Sequence, residues 1–274
     1  MTDETADVRL RVHEVQKIYR SRTGADVEAV RSLTFDLRAK EFACLVGPSG
    51  SGKTTLLKCI AGLLEPTSGT IVLDGERVVG PARGMAVVFQ EYARSLFPWM
   101  TVEANVELPL KTAGIPKAER AERIADALSS VGLDHVRKSH PWQLSGGMQQ
   151  RVAIARAVAS HPSVLLMDEP FAAVDAQTRA ELEDLVRRVW KTHDMTILFI
   201  THDIDESVYL GERVLVLSSS PTVVQHDLTI DLPVDRDQGV TRALPRFAEL
   251  REQVYDQVQM AKTNRGGVRA AIVR

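Results

Sequence analysis

The run Gly47-Pro48-Ser49-Gly50-Ser51-Gly52-Lys53-Thr54 combines a pliable backbone, a cation and a hydroxyl within one short stretch. Its glycines let the chain wrap an anion so that N–H groups point at negative charge. Lys53 is placed to reach the β- and γ-phosphates of a nucleotide, and Thr54 to ligate Mg²⁺. The run follows the apolar segment Phe42 to Val46 and opens a helical pattern, which is the context such a loop requires, and Thr55 supports it from the next position. A second chemistry lies in Val164-Leu165-Leu166-Met167-Asp168-Glu169-Pro170, where a buried strand ends in two carboxylates. Asp168 suits Mg²⁺ held through its water shell, and Glu169 suits a base that orients and polarises the water attacking the γ-phosphate. Gln90 and His202 each follow another apolar run. An amide there can sense Mg²⁺ and the attacking water; a histidine can donate a hydrogen bond to the γ-phosphate. In Leu144-Ser145-Gly146-Gly147-Met148-Gln149, Ser145 and the N–H groups of Gly146 and Gly147 precede a helix, giving a second anion-facing helix terminus. Taken alone, the smaller features have plainer readings. An acidic pair before proline is a favourable helix start, Leu-Ser-Gly-Gly is a helix entry with a serine cap, and a strand-end glutamine or histidine is solvated.

The elements that must position these groups follow from periodicity. Phe42 to Val46, Ala86 to Phe89, Val164 to Met167, Ile197 to Ile200 and Val214 to Leu217 are short continuous apolar runs, as expected of strands buried on both faces of a mainly parallel sheet. Leu56, Leu57, Ile60, Leu63 and Leu64 share a helical face after the phosphate loop, and Leu182, Leu185, Val186 and Val189 share another before Ile197. Val8 to Val12 alternates, and Thr70 to Val79 forms two runs around Asp74-Gly75, so both suit antiparallel strands, the latter joined by a tight turn. Ala118 to Val131 and Met148 to Ala159 read as helices with no strand between Glu91 and Ser160. The expected class is α/β: a P-loop NTPase (RecA-like) core with a mainly parallel sheet, an N-terminal antiparallel β subdomain and an inserted helical subdomain. The expected division is 8–90 for the β layer and the first part of the core, 91–160 for the helical insert, 161–220 for the rest of the core and 221–274 for a C-terminal extension.

Composition bounds the alternatives. Of 274 residues, 44% are hydrophobic and 26% charged, which is ordinary for a globular protein. A net charge of -2 provides no basic footprint, so nucleic acid is not an expected partner. Cys44 in an apolar run and Cys59 in a helical one read as reduced core thiols, which suits the cytoplasm. The acidic N-terminus does not read as a secretory signal, and no apolar stretch approaches the ~20 residues that span a bilayer. A membrane link is therefore expected to come through a partner.

Gly47 to Thr54, Gln90, Leu144 to Gln149, Asp168-Glu169, Asp175 and His202 occur in the order and spacing of the Walker A loop, Q-loop, signature, Walker B, D-loop and H-loop. Over residues 8 to 220 the chain resembles the ATP-binding-cassette (ABC) ATPases. The resemblance implies that Tyr19, in Val15-Gln16-Lys17-Ile18-Tyr19, stacks on adenine as the aromatic A-loop residue. It implies ATP and Mg²⁺ as ligands: Thr54, Gln90 and Asp168 serve the metal, and Glu169, His202 and Gln90 serve catalysis. It also implies a head-to-tail dimer with a second copy, in which Ser145, Gly146, Gly147 and Gln149 of one subunit, with Asp175, serve ATP held by the other's Walker A loop. The D-loop reads Ala172-Ala173-Val174-Asp175 where many members have serine first, so one cross-subunit hydroxyl is lost.

Aromatic residues make up only 5% of the chain, yet Phe89, Tyr92, Phe97 and Trp99 cluster after the Q-loop strand with Pro98 and Met100. Such a patch receives a partner. The family places here the groove for a coupling helix of a transmembrane permease, so docking is expected near Tyr92, Phe97 and Trp99. Phe97 to Val102, Asn105-Val106, Glu169-Pro170-Phe171, Thr201 to Glu206 and Asp231-Leu232-Pro233 resemble the nitrate, sulfonate, taurine and bicarbonate importer group. Many members of that group have a shorter stretch than Glu91 to Phe97, which carries Arg94 here. The resemblance implies an ATP-hydrolysing importer subunit on the cytoplasmic face of the membrane, with a periplasmic or extracellular solute-binding protein completing the assembly. The other functions built on this head are DNA repair or chromosome ATPases and translation or assembly factors. The former carry a coiled coil or zinc insertion absent here, and many of the latter carry two cassettes or lack the aromatic patch. Finally, Phe247, Leu250, Val254 and Val258 mark an amphipathic helix, and Lys262, Arg265, Arg269 and Arg274 a basic, solvated tail.

Overall fold

The computed structural model describes residues 8–21, 24–91 and 95–263. Tyr92, Arg94 and the tail residues Arg265, Arg269 and Arg274 lie outside them. The chain packs as two compact units, 1–83 with 196–274, and 84–195.

The first unit contains two sheets. Strands β1 (Val8–Tyr19), β2 (Val27–Arg38), β4 (Ser68–Leu73) and β5 (Glu76–Arg77) form an antiparallel sheet in the order β2-β1-β4-β5. The tight turn expected at Asp74-Gly75 joins β4 to β5, with both residues at positive φ. Strand β1 runs well past the alternating segment read from sequence. Register shifts between Val12 and Val15, with Glu14 at φ 49°, break the period of two, so alternation marks only its first half. In the other sheet, β3 (Phe42–Val46) is completely buried and lies between β8 (Thr196–Thr201) and β9 (Arg213–Leu217), parallel to both. Strand β10 (Val224–Thr229) closes the edge antiparallel to β9. Periodicity does not mark β10, because its half-exposed polar residues carry little apolar pattern. It is pinned chemically: Arg213 Nε and Nη2 each donate to the Asp227 carboxylate at 2.6 Å, and Nη1 donates to Glu41 at 3.1 Å.

Helix α1 (Lys53–Ile60) follows β3 and buries Leu56, Leu57 and Ile60. It stops at Ile60, before Gly62 at φ 69°, so Leu63 is exposed and does not extend the apolar face as its spacing predicts. Helix α6 (Ile204–Leu210) follows β8, and α7 (Gln238–Arg242) leads into α8 (Pro245–Thr263). The stripe Phe247, Leu250, Val254 and Val258 is buried, as the 3.6 spacing requires. The segment before it is tied down by ions. Arg246 donates to Asp231 at 2.9 Å, holding that carboxyl below the usual range, and Arg236 Nη1 donates to the carbonyls of Val208, Tyr209 and Gly211 that end α6.

The second unit has two parallel strands, β6 (Met85–Val88) and the fully buried β7 (Val164–Asp168). Around them lie α2 (Val102–Thr112), α3 (Lys117–Ser130), α4 (Gly146–Val158) and α5 (Ala176–His193). The helices read from sequence at 118–131 and 148–159 correspond to α3 and α4. Helix α2 does not announce itself, because Pro109 stands inside it and interrupts the pattern.

Both cysteines are free and buried, Cys44 in β3 and Cys59 in α1, and burial pushes the Cys59 thiol up to about 11. Thiolate is the reactive species. Iodoacetamide at pH 8 is expected to label neither residue in the folded chain and both in urea; labelling of the folded chain at the unfolded rate contradicts this packing.

Candidate functional site

In the first unit the phosphate loop leaves the end of β3. Because β3 and β8 are parallel with Val46 opposite Thr201, Gly47 and His202 emerge from adjacent strand ends, the edge at which open α/β sheets bind ligands. At Gly52 the loop has no room for a side chain. A Cβ on Gly52 would lie 2.8 Å from the Ala29 carbonyl oxygen, and φ there is 86°. Pro48 accepts from Ser51 N, closing the turn through Ser49 and Gly50. Lys53 is only 6% exposed, and its Nζ donates to the carbonyls of Gly47 and Pro48 at 2.9 Å, so the ammonium is folded into the loop that it serves.

Several features fit a phosphate group. Gly52 is the N-cap of α1 and brings no side-chain acceptor to the helix's first N–H groups, and the first turn holds no acidic residue. The Ser51 hydroxyl is buried with no hydrogen-bond partner. Thr54 is exposed at the start of the helix. Tyr19 is 43% exposed, its hydroxyl is 3.2 Å from Thr55 Oγ1, and Lys17 Nζ lies 5.6 Å from its ring centroid. The ring is thus presented next to the loop and available for stacking. His202 is exposed, directly before Asp203, which caps α6 by accepting from Glu206 N at 3.1 Å.

In the second unit β6 and β7 run parallel with Val88 opposite Met167, so Gln90 and the Asp168-Glu169 pair also leave adjacent strand ends. Gln90 is exposed; Asp168 is 4% exposed at the last position of β7. Within this unit the Asp168 carboxylate and the Gln90 amide oxygen are hard donors of the kind Mg²⁺ prefers. Glu169 sits at φ 42°, a region unfavourable for a residue with a side chain and doubly so before proline. Such strain, on the order of 1–3 kcal/mol, concentrates where geometry serves chemistry. Phe171 is buried beyond it, while Ala172 and Ala173 are exposed. Asp175 is the N-cap of α5, accepting from Thr178 N at 3.0 Å and from Thr178 Oγ1 at 2.7 Å, and these bonds hold its carboxyl below the usual range.

The signature begins α4. Ser145 caps it by accepting from Met148 N at 3.3 Å, leaving the N-terminal end to Gly146 and Gly147. A Cβ on Gly147 would lie 2.5 Å from Thr178 Cγ2, so the glycine is what allows the starts of α4 and α5 to approach. The signature and Asp175 are thereby brought together through Thr178, a residue that sequence reading passed over although Asp-x-x-Thr is a readable cap. Gln149 serves the same region from within: its Nε2 donates to the carbonyls of Pro141 and Leu144, 3.1 and 3.2 Å away, and shapes the turn before Ser145.

The aromatic segment is also a built structure. Trp99 is 71% exposed and lies 5.4 Å from the half-buried Phe97 ring; Pro98 is exposed, and Phe89 and Met100 are half-buried. The turn is held by Asn105 of α2, which is fully buried. Its Oδ1 accepts from Phe97 N at 2.8 Å, and its Nδ2 donates to the carbonyls of Phe97, Met100 and Thr101.

Gly147→Ala is expected to destabilise the chain by about 1–3 kcal/mol in urea unfolding, the range for overpacking. Adding Thr178→Ser, which removes Cγ2 and keeps the hydroxyl for Asp175, is expected to restore most of that loss. An equal loss in the double variant assigns the cost to something other than this contact.

Residues 30–172 match the ABC transporter family. The chain is 47% identical over 235 residues to the nitrate import ATP-binding protein NrtD of Synechocystis sp. (strain ATCC 27184 / PCC 6803 / Kazusa), covering 86% of this chain and 87% of that protein. It is 41% identical to the taurine import ATP-binding protein TauB of Roseobacter denitrificans, covering 86% and 88%. Among solved structures it is similar to a dimeric ATP-binding cassette in a post-hydrolysis state bound to ADP and Pi, with a TM-score of 0.69 and 31% identity, over 81% of this chain and 98% of that one. With its phosphate loop, paired carboxylates and signature helix all in the expected local settings, the chain belongs to the ABC transporter family and is one of its ATP-hydrolysing cassettes.

Proposed function

We propose that this chain energises an importer of a small anion, working as two copies arranged head to tail on a membrane permease. The observation that carries the reading is the presence of two separate anion-facing helix starts in one chain, α1 behind Gly47 to Gly52 and α4 behind Ser145. A γ-phosphate is too small to use both from one subunit, so the second start serves ATP held by the other copy. No described helix is long and apolar enough to cross a membrane, and the permease supplies the pore.

In this reading Tyr19 stacks on adenine, and the backbone of Gly47 to Gly52 with Lys53 grips the β- and γ-phosphates, supported by Thr55. Thr54, Asp168 and Gln90 hold Mg²⁺, whose chemistry when bound is to offset phosphate charge. Glu169, held at φ 42° directly after β7, accepts the proton of the attacking water. His202 donates to the γ-phosphate and steadies the transferring group. Ser145, Gly146 and Gly147 close over the partner's nucleotide, Gln149 keeps their turn in shape, and Asp175 fixes the start of α5 beside them. ATP binding draws the two copies together, and hydrolysis lets them part.

The helical segment 91–160 carries both the signature and the docking surface. Trp99 and Phe97, presented by Asn105, receive the permease, with Gln90 as the link to the nucleotide. The solute is a small oxyanion of the nitrate, taurine or sulfonate kind, delivered by a solute-binding protein outside the membrane; the cassette itself works at the inner face. Nitrate and taurine are the cargoes named for the relatives above, and this chain's own residues do not touch the solute.

Glu169→Gln is expected to bind ATP normally while phosphate release falls at least 100-fold and ATP-bound dimer accumulates in gel filtration. Turnover within a few-fold of the parent removes Glu169 from the role of base. Trp99→Ser is expected to leave the ATPase rate of the isolated chain within about twofold, while recovery of the permease with the chain from detergent extracts drops at least tenfold. Undiminished recovery removes Trp99 from the docking surface.

A further inference from the structure

A group of side chains that the nucleotide chemistry does not use lies in the second unit. Asp126 of α3, His161 just beyond the end of α4 and His193 in the last turn of α5 bring one ligand atom each to within 4.8 Å of one another. We propose that these three residues form a binding site for a borderline divalent transition ion, with Zn²⁺ as its natural probe.

The donor set fits that class. Two imidazoles and a carboxylate suit zinc better than Mg²⁺ or Ca²⁺, which take oxygen ligands, and three protein ligands leave a fourth position for water. Ligand atoms around a tetrahedral zinc lie roughly 3.3 Å apart, given bonds of about 2.0–2.1 Å. Closure from the present 4.8 Å spacing asks ligand atoms to approach by about 1.5 Å at most. The rings already approach: their centroids are 6.2 Å apart at a tilt of 42°, and His193 Nδ1 lies 3.9 Å from Asp126 Oδ2.

The backbone positions are fixed by packing. Ala127 and Leu128 beside Asp126, Val158 and Ala159 before His161, and Val189 and Trp190 before His193 are all buried. His161 itself is held at φ 48°, a left-handed position that places its ring after the helix has ended. Asp126 and His161 are exposed and give an ion a way in, whereas His193 is largely enclosed. Arg123, whose charge acts on His161, is paired with Glu119 one turn earlier on α3, so that charge is offset where the ion would approach. An ion here would cross-link α3, the segment following α4 and the last turn of α5.

The test uses the full chain, stripped with chelator and free of nucleotide and affinity tag. On equilibrium dialysis against Zn²⁺, one ion per chain is expected to bind, with Co²⁺ giving the strong visible absorption of a tetrahedral site. His161→Ala and Asp126→Asn, both at exposed positions, are expected to weaken Zn²⁺ binding at least tenfold and abolish the Co²⁺ band, and His193→Ala to do the same if it folds. Zn²⁺ should also raise the Tm of the parent but not of His161→Ala, as any ligand of the folded state does. Absence of uptake by the parent, or equal uptake and equal Co²⁺ spectra in the parent and His161→Ala, overturns the proposal.

Discussion

The first N–H groups of a helix have no partner inside it, and how this chain satisfies them organises much of what it does. Thr101, Ser145, Asp175 and Asp203 each turn a side-chain oxygen onto the start of their own helix. Gly52 has none to offer, and α1 therefore points its amides outward behind a fully buried strand. Lys53 adds a positive charge at the same place, folded back onto two loop carbonyls. A helix start of this kind is a standing demand for an anion, and the strand behind it gives the demand a fixed position.

The signature helix answers the same problem differently. Ser145 satisfies one donor of α4, and the two glycines that follow keep that end narrow enough to lie against Thr178. Thr178 is in turn held by Asp175 through both its amide and its hydroxyl. Signature and D-loop are consequently joined by a chain of short contacts, each depending on the size of the next side chain.

The placement of the candidate residues was legible in sequence because each sits at the end of a strand: Gly47 after β3, Gln90 after β6, Asp168 at the end of β7, His202 after β8. Buried parallel strands announce themselves as unbroken apolar runs, so their ends can be located closely. Elements held by other means were not legible. Strand β10 depends on the ion pairs of Arg213, α2 contains a proline, and β1 continues through a bulge that destroys its alternation. The role of Thr178 was hidden for another reason, since it depends on what a neighbouring helix lacks. The grouping of Asp126, His161 and His193 was equally invisible, because their sequence separations say nothing until the helices pack.

Asn105 spends its amide entirely on main-chain atoms: the N–H and carbonyl of Phe97 and the carbonyls of Met100 and Thr101. None of the side chains in that turn takes part. The fold of the turn and the identity of the groups it displays are therefore separately heritable. Side chains at positions 97 to 100 can change without disturbing those bonds, while Asn105 cannot be lost without releasing several buried polar groups at once.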